Sequence, residues 1–447
     1  MATGLPALAN HPTGRHIIST RHEEGLRMAI ARYALGLCTA LVFTFTLVHA
    51  GEYDWPQWMG PNRDAVSQET GLLKEWPAEG PPLVWMSREV GFGYAGPAIA
   101  DGKVFVLGSL DEVTHLIALD EATGDKLWAT PIVSDYKNGW GDGPRSTPTV
   151  DGDRVYAMTG GGTMICCQVT DGKELWRVSM LDLGGGVPTW GYAESPLVDG
   201  DQVICTPGGG EGAMAAFDKL SGKLLWQSAD VTEGAQYSSV IKAKVNDSPQ
   251  YIQLLQKTAF GVDPATGEVI WQHDWPGQVA VIPTPLYRDN KVYLSSGYGV
   301  GCELIELGSD GKPADSPYSD RAKKTMKSKH DGLVLVGDYV YGYSDGGGWT
   351  CQEFATGKRV WSEKGKLGKG SIGYADGMLY LLDERSGEVV LIDATPDGWQ
   401  EHGRFTLSPQ TEFRNPKGGI WCHPVIANGK LYLRDQELQF CFDVKAK

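Results

Sequence analysis

Few side chains in this sequence stand at spacings that make or break bonds. Cys422 and His423 are adjacent but have no third residue at a metal-ligand spacing, and no Cys-x-x-Cys-His haem-attachment site occurs. The doublets Asp151/Asp153 and Asp199/Asp201 flank glycines in short polar turns, where aspartate bonds to its own backbone, so they are turn residues. Glycine-rich runs at 160–163, 208–211 and 346–349 follow β-rich segments but open no helix, which removes a phosphate-loop reading. The basic stretch 321–329 reads as a solvated loop. What remains is a set of aromatic and charged residues: Trp140, Arg145, Trp190, Glu194, Tyr237, His330, Lys369, Trp421 and His423. Flat rings beside cations and a carboxylate are the chemistry of holding a ligand, and no residue is singled out as catalytic.

Whether those residues meet depends on the elements that carry them, and the chain repeats. Asp120 to Trp128, Gln168 to Trp176, Asp218 to Trp226, Asp263 to Trp271 and Glu353 to Trp361 superpose without gaps, each with Gly at the fifth position and Trp at the ninth. A glycine fixed between two apolar runs marks a tight hairpin, and the Trp then lies in the next strand, large enough to fill the gap between units. Before each copy comes a second hairpin centred on Asp-Gly, Asn-Gly or Asp-Asn between alternating apolar residues, as at 96–108, 146–158 and 422–434. Four antiparallel strands per unit make a propeller blade.

Unit starts near residues 96, 146, 195, 237, 283, 331, 371 and 422 predict an all-β, eight-bladed propeller. The fifth unit is degenerate, its second hairpin replaced by residues 308–320. The eighth ends without a fourth strand, which the segment Leu83–Val90 can supply, closing the ring. In a propeller the loops entering the innermost strands share one mouth of the channel. That position gives Tyr94, Arg145, Glu194, Tyr237, Ile282, His330, Lys369, and Trp421 with His423, while enlarged loops at 129–145 and 177–194 add Trp140, Asp142, Asp182 and Trp190. The nine candidates are thereby expected to form one ligand-binding mouth.

Residues 28–50 carry Arg32, an apolar run from Tyr33 to Val48 and Val48-His49-Ala50, the pattern of a secretory signal peptide cleaved near Ala50. Residues 1–50 are thus read as an extension plus signal peptide, with Met28 the true start, and 51–447 as a single propeller domain in the periplasm or the medium. Beyond residue 50 every long apolar run is interrupted, so no transmembrane span is expected. With 40 Lys+Arg against 55 Asp+Glu the net charge is -15, which repels nucleic acid. Seven irregularly spaced cysteines beyond the leader do not form a disulfide framework.

The Asp-x-x-Thr-Gly-x-x-x-Trp repeat resembles that of the pyrroloquinoline-quinone-like (PQQ-like) β-propeller proteins over residues 53–445, and Trp55-Pro-Gln-Trp-Met-Gly-Pro-Asn-Arg-Asp is similar to the start of exported bacterial members. The family holds quinoprotein alcohol dehydrogenases and the propeller lipoprotein of outer-membrane barrel assembly. Membership of the dehydrogenase branch would make Glu194 a metal ligand, Arg145 a partner of the quinone and Cys166-Cys167 a vicinal disulfide. The cysteine pair, however, falls inside a strand, where neighbours face opposite ways, and no Asn or Asp pair completes a Ca2+ site. The first expectation is therefore a monomeric, non-catalytic scaffold that needs no cofactor and binds a cell-envelope protein or polysaccharide. The alternatives are a PQQ- and Ca2+-dependent alcohol dehydrogenase, and a carbohydrate-binding propeller using Trp140, Trp190 and Trp421.

Overall fold

The computed structural model describes residues 51–330 and 332–447; the leader, its start at Met28 and its cleavage point lie outside the described residues. Eight sheets follow one another along the chain as blades. In blade 1 the strands are Ala98–Ala100, Lys103–Leu110, Val113–Asp120 and Lys126–Ser134, ordered from the channel outward. The first turn takes the left-handed region at Asp101 (φ 52°) and Gly102 (φ 68°), the hairpin geometry that the Asp-Gly centre predicts. Alternating residues of the middle strands are buried on both sides because each blade packs between two others. No helix among the described residues is long and apolar enough to cross a membrane.

The repeated Trp and Gly meet across blade boundaries. Trp176 of blade 2 donates from Nε1 to Lys219 O at 3.0 Å, in the turn of blade 3, and its ring covers Gly222 so closely that a Cβ there would lie 2.7 Å from Cε3. Trp85, Trp128, Trp226 and Trp361 repeat the bond to Glu121 O, Val169 O, Pro264 O and Thr395 O. Trp271 departs from the pattern because blade 5 lacks the receiving turn. It bonds to Gln250 Oε1 of its own blade at 2.8 Å instead.

Blade 5 is the degenerate unit that the sequence predicts, and it has three strands, Leu286–Arg288, Lys291–Ser296 and Gly301–Glu306. The chain after Leu307 forms no fourth strand and covers the edge with a 3-10 turn, Ala322–Lys324, whose Ala322 O accepts from Cys302 Sγ at 3.5 Å. Blade 7 gains a strand, since Val66–Ser67 runs parallel to its inner edge at Tyr374 and Ala375. The ring closes as the sequence predicts: Leu83–Ser87 pairs antiparallel with Leu438–Asp443, making the fourth strand of blade 8. Arg434, fully buried, reinforces that seam by donating to Ala95 O (2.7 Å), Leu107 O (2.9 Å) and Gly91 O (3.0 Å) of the first blade and its approach. Burial pulls its guanidinium down to about 10, so it remains charged, with carbonyl dipoles as its partners.

The N-terminal segment does more than begin the chain. Trp55 pairs with Ile99 of blade 1, Pro56 O accepts from Val150 N of blade 2, and Arg63 donates to Ser195 O (2.7 Å) and Pro196 O (3.0 Å) entering blade 3. Trp58 reaches Thr284 entering blade 5 and packs edge-on against His423 of blade 8 at 4.8 Å. Residues 55–67 therefore cross the central channel as a plug. All seven cysteines of the described residues are buried and free. Cys166 and Cys167 lie in the third strand of blade 2, Thr163–Gln168, and burial pushes their thiols up to about 11 and about 12.

Candidate functional site

The strand ends place the loops 135–148 and 180–196 on the face opposite the Asp-Gly turns, each beginning a few residues later than the sequence suggests because the strands run on to Ser134 and Ser179. Arg145 stands in the first of these loops, its guanidinium over the rings of Tyr94 (5.3 Å) and Tyr136 (5.7 Å). Its Nη2 donates to Gly141 O at 2.6 Å and its Nη1 to Gly143 O. Gly141 has φ 139° and a Cβ there would fall 1.8 Å from Tyr94 Oη, so only glycine lets this loop fold onto the ring. Burial holds the guanidinium below its usual value. Tyr94 Oη donates to Trp140 O at 3.1 Å, leaving the Trp140 ring 42% exposed.

The second loop brings Trp190 against Tyr237, with ring centres 5.7 Å apart and Trp190 N donating to Tyr237 Oη at 3.2 Å. Burial pushes the Tyr237 phenol up to about 12, so it stays neutral. On the other side of the mouth, His330, Lys369 and Trp421 converge on one carboxylate that the sequence reading does not single out, Glu384. Its Oε2 lies 2.6 Å from His330 Nε2 and accepts from Trp421 Nε1 at 3.1 Å, and its Oε1 lies 3.0 Å from Lys369 Nζ. Burial works to raise this carboxyl, but the hydrogen bonds and charges of His330 and Lys369 outweigh it and hold the group at about 2. Trp421 also leans on Tyr94 at 4.8 Å, which joins the two halves of the mouth into one surface.

Two candidates lie elsewhere. Glu194 is 1% exposed, beneath the mouth between blades 3 and 4, accepting from Thr206 N (2.6 Å), Thr206 Oγ1 (3.0 Å) and Gln253 Nε2 (3.3 Å). Burial raises its carboxyl to about 7 against those bonds. His423 turns into the channel against the plug's Trp58, and burial lowers its ring to about 3, so it is neutral. Among the described residues no three His, Cys, Asp or Glu side chains stand together in a way that could hold a metal ion. A third long loop, 407–424, which the sequence reading passes over, brings Phe413 and Trp421 to this face.

Compared with known proteins, residues 114–363 match the family model described as outer membrane protein assembly factor BamB. A search of curated proteins found no match. Among solved structures, BamB from Moraxella catarrhalis is 17% identical with a TM-score of 0.53, covering 76% of this chain and 94% of its own. Quinohemoprotein alcohol dehydrogenase from Comamonas testosteroni is 12% identical with a TM-score of 0.59 over 88% of this chain and 81% of its own. The computationally designed Ika8 protein is 13% identical with a TM-score of 0.55, over 82% of this chain and all of its own, 100%. At these identities the likeness is one of fold, which a designed ring shares equally with an enzyme.

Proposed function

Because the chain belongs to the PQQ-like propeller family described as outer membrane protein assembly factor BamB, we propose that it is an exported, non-catalytic monomer that binds a cell-envelope protein through the mouth face. The observation that carries this reading is the state of the mouth's polar groups. Glu384 is already saturated by three donors, Arg145 is held by two carbonyls, and both hold aromatic rings in place at the surface. Rigid rings with fixed polar edges bind a partner at low entropic cost. PQQ-like dehydrogenase chemistry needs Ca2+ held by carboxylate and amide oxygens. The family-derived ligand Glu194 has both oxygens taken by Thr206 and Gln253, and the two adjacent cysteines are unpaired residues inside one strand. This donor set does not fit PQQ and Ca2+.

The test places a photo-crosslinking residue at Trp140 or Trp190, and in parallel at Leu127 or Val360 on outer strands, in cells exporting the full chain. Adducts with an envelope protein from the mouth positions alone are expected; adducts from the outer positions alone overturn the reading. Purified protein given saturating PQQ and Ca2+ is expected to melt unchanged and to oxidise no alcohol with a dye acceptor. A tight, oxidising complex returns the chain to the dehydrogenases.

A further inference from the structure

At the edge of the mouth, where blade 8 meets blades 1 and 2, lies a cleft of about 580 Å3 that shares Tyr94 and Gly141 with the binding surface described above but is lined by neither Trp190 nor Glu384. Two phenylalanines from separate loops form its apolar wall, Phe92 37% and Phe413 67% exposed, packed edge-to-face at 5.3 Å. Neither sits on a loose tip. Phe92 exchanges both backbone bonds with Ser109, at 3.0 and 2.7 Å. The Phe413 loop is tied down on both sides, by Thr411 N to Asp435 Oδ2 at 3.0 Å and by an Arg414–Asp435 ion pair at 2.5 Å. Two rigid, exposed aromatic side chains cost solvation in the free protein and gain when an apolar group covers them.

The charge on the cleft is one-sided. Asp111, Glu112, Asp135 and Asp142 line it against a single cation, Lys137. Asp135 is occupied by Ser109 and Thr114, which leaves Asp111, Glu112 and Asp142 at the rim. Lys137 shows how the rim holds a cation, its Nζ lying 2.9 Å from Glu112 Oε1 and 3.4 Å from Asp142 Oδ2. The whole chain, at -15, adds a field that draws cations and repels a second copy, an anionic lipid surface or nucleic acid.

We propose that this cleft docks a basic peptide segment of the partner protein, an apolar side chain lying on Phe92 and Phe413 while flanking Lys or Arg groups meet Asp111, Glu112 and Asp142. The inference rests on the mouth-face reading for the nature of the partner, a protein, and adds its chemistry and a second contact point. Lys137 then acts as an internal competitor that the incoming cation displaces.

Calorimetric titration of the full chain with a capped peptide of alternating lysine and phenylalanine tests it. Binding is expected at low salt, weakening as salt rises. Phe413→Ala and the Asp111→Asn/Glu112→Gln pair are each expected to weaken it about tenfold, and Lys137→Ala to tighten it about threefold. All of these side chains are exposed or in turns, and circular dichroism checks that the ring is intact. No binding at low salt, equal binding after Phe413→Ala, equal binding of the glutamate-phenylalanine peptide, or preference for a cationic sugar oligomer overturns the proposal. Mouth crosslinks at Trp140 and Trp190 report separately: if they persist while the peptide fails, only the cleft falls.

Discussion

Two buried glutamates with opposite environments give the residue scale its sharpest tests. Glu384 is held at about 2 in the folded protein against an ordinary 4.5, so its contribution to stability is complete above about pH 4.5 and is lost as the pH falls towards 2. Glu384→Gln is expected to flatten that part of the acid limb in thermal melts between pH 2 and 5. Glu384→Ala, which leaves Lys369 and His330 facing each other without their anion, is expected to cost about 3 kcal/mol at pH 7 and to abolish mouth crosslinks. Glu194 has the reverse sign. Its carboxyl is raised to about 7, so stability is highest below about pH 4.5 and declines as the pH rises through 7. Glu194→Gln should match the parent at pH 4 and exceed it by about 1–3 kcal/mol at pH 8; a parent that gains stability between pH 5 and 8 relative to the variant refutes this. His330, Lys369 and Trp421 are legible from the sequence because the repeat fixes where each inner strand begins. Glu384 is not, because it sits in Asp383-Glu384-Arg385-Ser386-Gly387, which imitates the outer repeat turn yet joins Met378–Asp383 to Glu388–Asp393 at the opposite end of the blade.

At the scale of the element, stability is carried from blade to blade by one ring on one glycine. Gly222 has φ +71° and no room for a Cβ beneath Trp176, so Gly222→Ala is expected to destabilise by about 1–3 kcal/mol. Trp176→Ala removes a side chain 9% exposed and its bond to Lys219 O, at a cost of about 3–5 kcal/mol. The double variant should cost less than the sum, since the truncated Trp makes space for the new methyl, and only the backbone strain at φ +71° persists. Strict additivity in urea melts would mean that ring and turn do not interact. These units were readable because the glycine and the Trp answer local demands, a left-handed turn and a gap of fixed size. The edge cover of blade 5 was not, because residues 307–326 satisfy no repeat; they are held by single contacts such as Ala314 N to Glu306 O at 2.8 Å, which sequence periodicity cannot foretell.

For the whole molecule the N-terminal stretch performs two separable tasks, and deletion distinguishes them. Leu83–Ser87 completes blade 8, and its loss bares the edge of Leu438–Asp443, whose residues Leu438, Phe440 and Cys441 are fully buried in the intact ring. An unpaired apolar edge is a template for another chain. The plug, by contrast, pairs with edges that already belong to complete blades or adds to one, and buries Trp55, Met59 and Ala65, each 3% exposed. Removing residues 51–67 alone is therefore expected to leave a monomeric ring that melts at least about 5 °C lower, since these side chains contribute several kcal/mol and each kcal/mol is about 2 °C in a chain this large. Removing residues 51–90 is expected to give soluble oligomers in size-exclusion chromatography. Adding a synthetic peptide of residues 81–90 to the longer deletion should recover monomer, because the pairing to residues 439–442 needs no other part of the segment. If the shorter deletion aggregates as well, the plug is part of the closure and not a stopper placed in a ring already shut. If the peptide fails to recover monomer while the shorter deletion stays monomeric, the connection 68–82, tied at Leu72 to Lys445 and at Leu73 N to Val444 O, is needed to hold the closing strand in register.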